Sequence, residues 1–189
     1  MDYRFKTEPY EHQLHALGAS HNKENFALFM EMGTGKSKVL IDNIAMLYDK
    51  GKINAALIVA PKGVYRNWER QEIPTHMPEH IVHNVVTWSP STTKKQQKEN
   101  LKLFKHGDQL TIFLMNIEAF STKKGLDIAQ RFLLAHQTLM AIDESTTIKS
   151  PTARRTKNVL KLRNYAKYRR ILTGSPVTKS PLDLSLIHI

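Results

Sequence analysis

The chain has 189 residues, enough for one domain with a sizeable core, and 41% of them are apolar against 24% charged. It holds no cysteine, no apolar run of membrane-spanning length and no apolar signal core in residues 1–6. This excludes a disulfide framework and a thiolate metal site, and sets the expectation of an intracellular protein, nucleoid-associated if bacterial or phage, with no membrane partner. The net charge of +11 favours a polyanionic partner, of which nucleic acid is the commonest.

In chain order, residues 7–17 read as a helix opened by Pro9, with Leu14 and Leu17 on one face. Residues 18–24 are polar and read as a loop. Residues 26–29 form a short apolar run with β character, and residues 38–47 are apolar enough for a buried helix. Residues 54–60 are continuously apolar up to Pro61, as in a strand buried on both faces of a parallel sheet. A helix over 64–72 is expected to stop at Pro74, and residues 81–88 are a third strand. Residues 92–106 read as a largely solvated helix touching the core through Leu101 and Phe104 and closed by Gly107. Residues 110–116 are a fourth strand, 121–125 a polar loop, 126–136 a helix and 139–142 a fifth strand running into Asp143-Glu144. Residues 149–170 are rich in Lys and Arg without an acid, with Ser150 and Pro151 placed to open a helix. Residues 169–172 are a last strand ending at Thr173-Gly174-Ser175. Strands alternating with helices predict an α/β domain with a mainly parallel central sheet flanked by helices.

Between the first strand and its helix lies Met30-Glu31-Met32-Gly33-Thr34-Gly35-Lys36-Ser37. Strand, glycine turn, Lys-Ser and helix form a phosphate-binding arrangement. Gly33 and Gly35 let the backbone curl so that its N–H groups, Thr34's included, point at phosphate oxygens, and the helix N-terminus adds positive charge. Lys36 reaches the β- and γ-phosphates of ATP, and the Ser37 hydroxyl holds Mg²⁺. Met30 stands where the full P-loop pattern has glycine. Gln13 offers an amide that matches an adenine edge, or is an ordinary surface glutamine. In a parallel sheet, ligands sit at the carboxyl ends of the strands. The glycine loop, Pro61-Lys62, Asp143-Glu144 and Thr173-Gly174-Ser175 all fall there. Asp143 is placed to hold Mg²⁺, and Glu144 to take a proton from the attacking water.

Together these stretches resemble the first RecA-like lobe of a superfamily 2 helicase, of the Snf2-like DNA-dependent ATPase type. Residues 31–37 resemble motif I, and residues 57–62 with Asn67-Trp68-Glu69 resemble motif Ia. Residues 115–118 resemble motif Ib, residues 142–146 motif II and residues 172–176 motif III, while Pro9-Tyr10 with Gln13 is similar to the Q motif. The resemblance implies a RecA-like P-loop domain over residues 1–183. It also implies an ATP hydrolase in which Gln13 reads adenine, Lys36 binds phosphate, Ser37 and Asp143 place Mg²⁺ and Glu144 is the base. Lys62 and Asn116 would touch the backbone of duplex DNA independently of sequence, while Thr173, Gly174 and Ser175 would couple nucleotide state to DNA. Thr146 stands where the motif often has a coupling histidine. The resemblance further implies a second RecA-like lobe that is missing here, so the isolated chain is expected to be nearly inactive. The alternative is a non-hydrolysing nucleotide- and nucleic-acid-binding module. Residues 184–189 can be encoded as CTG TCT CTT ATA CAC ATC, which resembles a sequencing-library adaptor, and are expected to be a non-native tail.

Overall fold

A computed structural model describes residues 3–91, 93–105, 107–143 and 154–174. Its centre is a six-stranded sheet built from β1 (Asn25–Phe29), β2 (Ala55–Ala60), β3 (His83–Thr87), β4 (Leu110–Asn116), β5 (Thr138–Asp143) and β6 (Tyr168–Thr173), in the order β1-β6-β5-β2-β4-β3. All five pairings are parallel, as the continuous apolar runs predict. β2 lies between β5 and β4 and is buried at every position.

The period-two alternation of each strand divides the core into two layers. Ala56, Ile58, Ile112, Leu114, Leu139, Ala141 and Leu172 face one side. There they meet Leu17 of α1 (Glu11–Ser20) and Val39, Leu40, Ile41 and Ile44 of α2 (Lys36–Asp49). Tyr65 of α3 (Tyr65–Asn67), Trp68 of a π-helical turn (Trp68–Glu72) and Ile73 of α4 (Ile73–His76) complete that layer. Leu57, Val59, Phe113, Met115, Met140, Ile142 and Ile171 face the other side. They meet Leu103 just after α5 (Lys94–Lys102), Phe132 and Leu133 of α6 (Lys123–Ala135), and Val159 and Leu162 of α7 (Arg154–Leu162). Each such fully buried aliphatic or aromatic side chain contributes about 1.5–3 kcal/mol.

Four local readings change. α1 runs on to Ser20 instead of ending at residue 17, and the Ser20 hydroxyl donates to Ala16 O at 2.7 Å. The helix after β2 does not stop at Pro74. The amide of Ile73 bonds Trp68 O, five residues back, and the widened turn admits a proline whose ring would strike a carbonyl in a regular helix. After α5, Phe104 packs against the core as expected and is joined by the fully buried Leu103, whereas Leu101 is 66% exposed. Part of the expected polar loop before α6 is helical, because the Thr122 hydroxyl caps the amide of Gly125 at 3.0 Å.

Two buried polar clusters fasten the N-terminal segment. Lys38 bonds Asp42 Oδ2 and Thr7 O, each at 2.8 Å, and Tyr3 donates to Asp42 Oδ1 at 3.0 Å. The Thr7 hydroxyl meets His76 Nδ1 at 2.8 Å. Burial holds the Asp42 carboxyl above its usual range, although Lys38 and Tyr3 pull the other way. Burial, with Lys38 adding to it, holds His76 below its usual value. On the other side of α2, Arg170 is only 1% exposed. It donates to Asn43 Oδ1 at 2.9 Å, Ser20 O at 2.9 Å, Arg169 O at 2.8 Å and Glu24 O at 3.3 Å. Burial pushes this guanidinium down to about 10, so it stays charged at neutral pH.

Candidate nucleotide site and nucleic-acid groove

The glycine loop leaves β1 and enters α2 through two left-handed residues, Gly33 at φ 78° and Gly35 at φ 83°. A side chain at either position would be strained, which explains the glycines. Gly35 is the cap of α2 and sits against the side chain of Gln13. Lys36 folds back over the loop, its ammonium donating to Met30 O at 2.9 Å and Glu31 O at 2.8 Å. Ser37, partly buried, follows in the first turn of α2.

Gln13 is 5% exposed, so it is not an ordinary surface residue. Its Oε1 accepts from the Tyr10 amide at 3.0 Å and its Nε2 donates to Thr34 O at 3.0 Å. The His12 ring also meets Thr34 O at 3.0 Å. An amide has two donor hydrogens and two lone pairs, so Gln13 keeps one of each beyond these bonds. The start of α1 is thereby locked to the glycine loop.

The sheet order brings three strand ends side by side. β6 lies between β1 and β5, and the Met30 amide bonds Thr173 O at 3.2 Å. A methyl added at Gly174 would lie 3.2 Å from Met32 Cγ and 3.7 Å from Lys36 Nζ, so Gly174 abuts the loop. Thr173 is buried at 3% exposure. Asp143 ends β5 in register with Leu172 of β6. Its Oδ2 accepts the indole N–H of Trp68 at 3.0 Å. Ser37 and Asp143 offer a hydroxyl and a carboxylate, the hard oxygen donors that Mg²⁺ takes beside phosphate and water. Glu144 and Ser175 lie outside the described residues.

Lys62 and Asn116 meet at the other half of the same sheet edge. Both line a groove of about 590 Å³ at the ends of β2 and β4, with Arg66, Trp88 and Lys124. Asn116 donates to Glu118 Oε2 at 2.9 Å, and Lys124 lies 5.9 Å from the Trp88 ring centre. Lys62, Arg66 and Lys124 make this groove basic against the single Glu118. The basic run 149–170 contributes less than its composition promised. Arg170 is spent on carbonyls inside the fold, and Arg169 bonds Arg163 O at 2.7 Å and Asn25 Oδ1 at 2.9 Å. Arg154, Lys157 and Lys161 of α7 are exposed.

Sequence reasoning passed over Arg66, Lys124 and the role of Trp68. Arg66 and Trp68 fall within or beside the stretch that resembles motif Ia, which was the available signal. Nothing in the sequence marks Lys124, since it reaches the groove only through the packing of α6.

The family described as the SNF2-related domain matches residues 12–188. No curated protein matches the chain in sequence. Among solved structures, the Sulfolobus solfataricus SWI2/SNF2 ATPase core in complex with dsDNA is similar over 99% of this chain and 36% of that one, at 21% identity and a TM-score of 0.72. The Sulfolobus solfataricus SWI2/SNF2 ATPase core domain is similar over 97% of this chain and 37% of that one, at 22% identity and a TM-score of 0.66. The UvsW helicase from bacteriophage T4 is similar over 95% of this chain and 57% of that one, at 12% identity and a TM-score of 0.66. The chain therefore spans between about a third and just over half of the structures it matches.

Proposed function

This chain belongs to the SNF2-related domain family, and from that premise we propose that it is the ATP-binding lobe of a DNA-dependent ATPase. The observation that carries the reading is the meeting of three strand ends: Lys36 after β1, Gly174 after β6 and Asp143 at the end of β5. ATP enters over the glycine loop. Lys36 exchanges the uncharged carbonyls of Met30 and Glu31 for β- and γ-phosphate oxygens, so that its ammonium meets acceptors of opposite charge. The amides of Gly33 and Gly35 and the N-terminus of α2 would meet the same phosphates, and the Thr34 amide would join them on leaving Glu31 O, which it meets at 3.4 Å. Gln13, already fixed to Thr34, directs its remaining donor and acceptor at the adenine edge.

Ser37 and Asp143 would hold Mg²⁺. The ion supplies charge neutralisation on the phosphates. Glu144 takes the proton of the attacking water. Thr173, Gly174 and Ser175 sense the phosphate end of the site, since Gly174 abuts Met32 and Lys36. Duplex DNA lies along the basic groove, its backbone touched by Lys62 and Asn116 without base readout. A second lobe would close over the γ-phosphate and add an arginine charge there.

Calorimetric titration of ATP into the Lys36→Ala chain tests the phosphate assignment. Loss of the ammonium is expected to weaken binding by about 1–3 kcal/mol while the loop glycines stay in place. An unchanged affinity would sink the reading.

A further inference from the structure

Trp68 is 1% exposed and is among the largest fully buried side chains of the chain. A tryptophan in such a place is ordinarily core filling. Two observations go beyond filling. First, its indole N–H is aimed out of the apolar layer at Asp143 Oδ2, 75 positions away in sequence and 3.0 Å away in space. Indole nitrogen only donates, and a carboxylate is the strongest acceptor a strand end can offer it. Phenylalanine or leucine would fill the layer without reaching Asp143. Second, Trp68 opens the π-helical turn Trp68–Glu72. Such turns re-aim side chains within a helix and gather at functional sites.

We propose that Trp68 is a positioning residue for the cation end of the nucleotide site. Its N–H occupies Oδ2 and so fixes the plane in which the Asp143 carboxylate meets a divalent cation. The inference rests on the nucleotide reading above and adds a residue to it. A carboxylate held by a donor behind it presents one orientation to the metal. Removing the donor takes away one of the contacts that fix the carboxylate, and the cation meets a less preorganised partner.

The measurement is the coupling between Mg²⁺ and ATP in the full chain. ATP affinity is determined by calorimetry in excess Mg²⁺ and again in EDTA, and the ratio of the two is the coupling. Trp68→Phe removes the N–H and part of the ring. A second variant carries 3-benzothienylalanine in place of Trp68, which puts sulfur where the N–H was and keeps the shape. Both variants are expected to lower the coupling about tenfold, the scale seen when groups behind metal ligands are removed. Affinity in EDTA should stay within about twofold of the unaltered chain, since Lys36 and the loop are untouched. If the phenylalanine variant fails to fold, the benzothienyl variant decides. Coupling equal to that of the unaltered chain in the isosteric variant overturns the positioning role alone. An unaltered chain that binds no ATP with or without Mg²⁺ overturns the nucleotide reading and this inference with it.

Discussion

At Gly35 the backbone stands at φ 83°, and a β-carbon there would run into the side chain of Gln13. Two costs therefore fall on Gly35→Ala: left-handed strain of about 1–2 kcal/mol, and displacement of the amide that ties α1 to the loop. The expected outcome is a lower urea midpoint together with weaker ATP binding. A variant with unaltered midpoint and affinity would mean that the Gln13 contact carries no weight. Gly33, equally left-handed but with open space around it, should incur the strain alone. The glycine positions of the loop were legible in the sequence, since a tight left-handed turn before a helix calls for glycine. The burial of Gln13 could not, because it depends on a carbonyl 21 positions away that only the folded loop presents.

Elements explain where sequence reading held and where it slipped. All six strands among the described residues were legible, most plainly β2 and β4, since a strand buried on both faces must be apolar at nearly every position. Helix ends were less visible. Pro74 reads as a stop, yet a π turn spares the chain the broken bond. The lysine-rich stretch hides Leu103 beside the more conspicuous Leu101. Arginines look alike in sequence whether they face solvent or carbonyls, so the basic run does not reveal that Arg170 is buried. Its removal should be felt strongly. Arg170→Met takes the Arg170 donor from the amide oxygen of Asn43, while Ser20 O keeps the Lys23 amide at 3.0 Å and Glu24 O the Arg169 amide at 2.6 Å, and is expected to cost about 1–3 kcal/mol in a denaturant titration. The cluster on the other side of α2 adds a pH dependence. The native state holds His76 below its usual 6.5, so between that lowered value and 6.5 the unfolded chain binds a proton that the native chain refuses. Stability must therefore fall as pH drops below 6.5. Asp42 acts in the opposite sense, in the window from its raised value down to 3.8. Urea midpoints at pH 7 and 5.5 should diverge in the unaltered chain and lie closer together in His76→Gln.

Across the whole molecule, the proposed nucleotide residues follow β1, β6 and β5, and the basic groove lies at β2 and β4. In that reading one sheet carries both ligands, and motion between them needs a second body. We expect this chain alone to bind ATP weakly, to hydrolyse it very slowly and to respond little to duplex DNA, because an arginine from across the cleft is worth about 10³–10⁵ in rate. Robust DNA-stimulated turnover by the purified chain would instead require a neighbouring copy to supply the second face. Whatever DNA affinity it shows should drop steeply with salt, since Lys62, Arg66 and Lys124 offer charge rather than base-reading geometry. The position of β1 also sets an order in time. Its partner is β6, and Arg169 bonds Asn25 across 144 positions of sequence. β2, β4, β3 and β5 pair with one another over far shorter stretches. As the chain leaves the ribosome, those strands can assemble while β1 waits without a neighbour. The phosphate loop, whose Met30 amide needs Thr173 O, closes only when residue 173 has emerged. The glycine loop, made early, is thus among the last segments to take shape, and a nascent chain stalled before β6 is expected to hold the other strands with the loop still open.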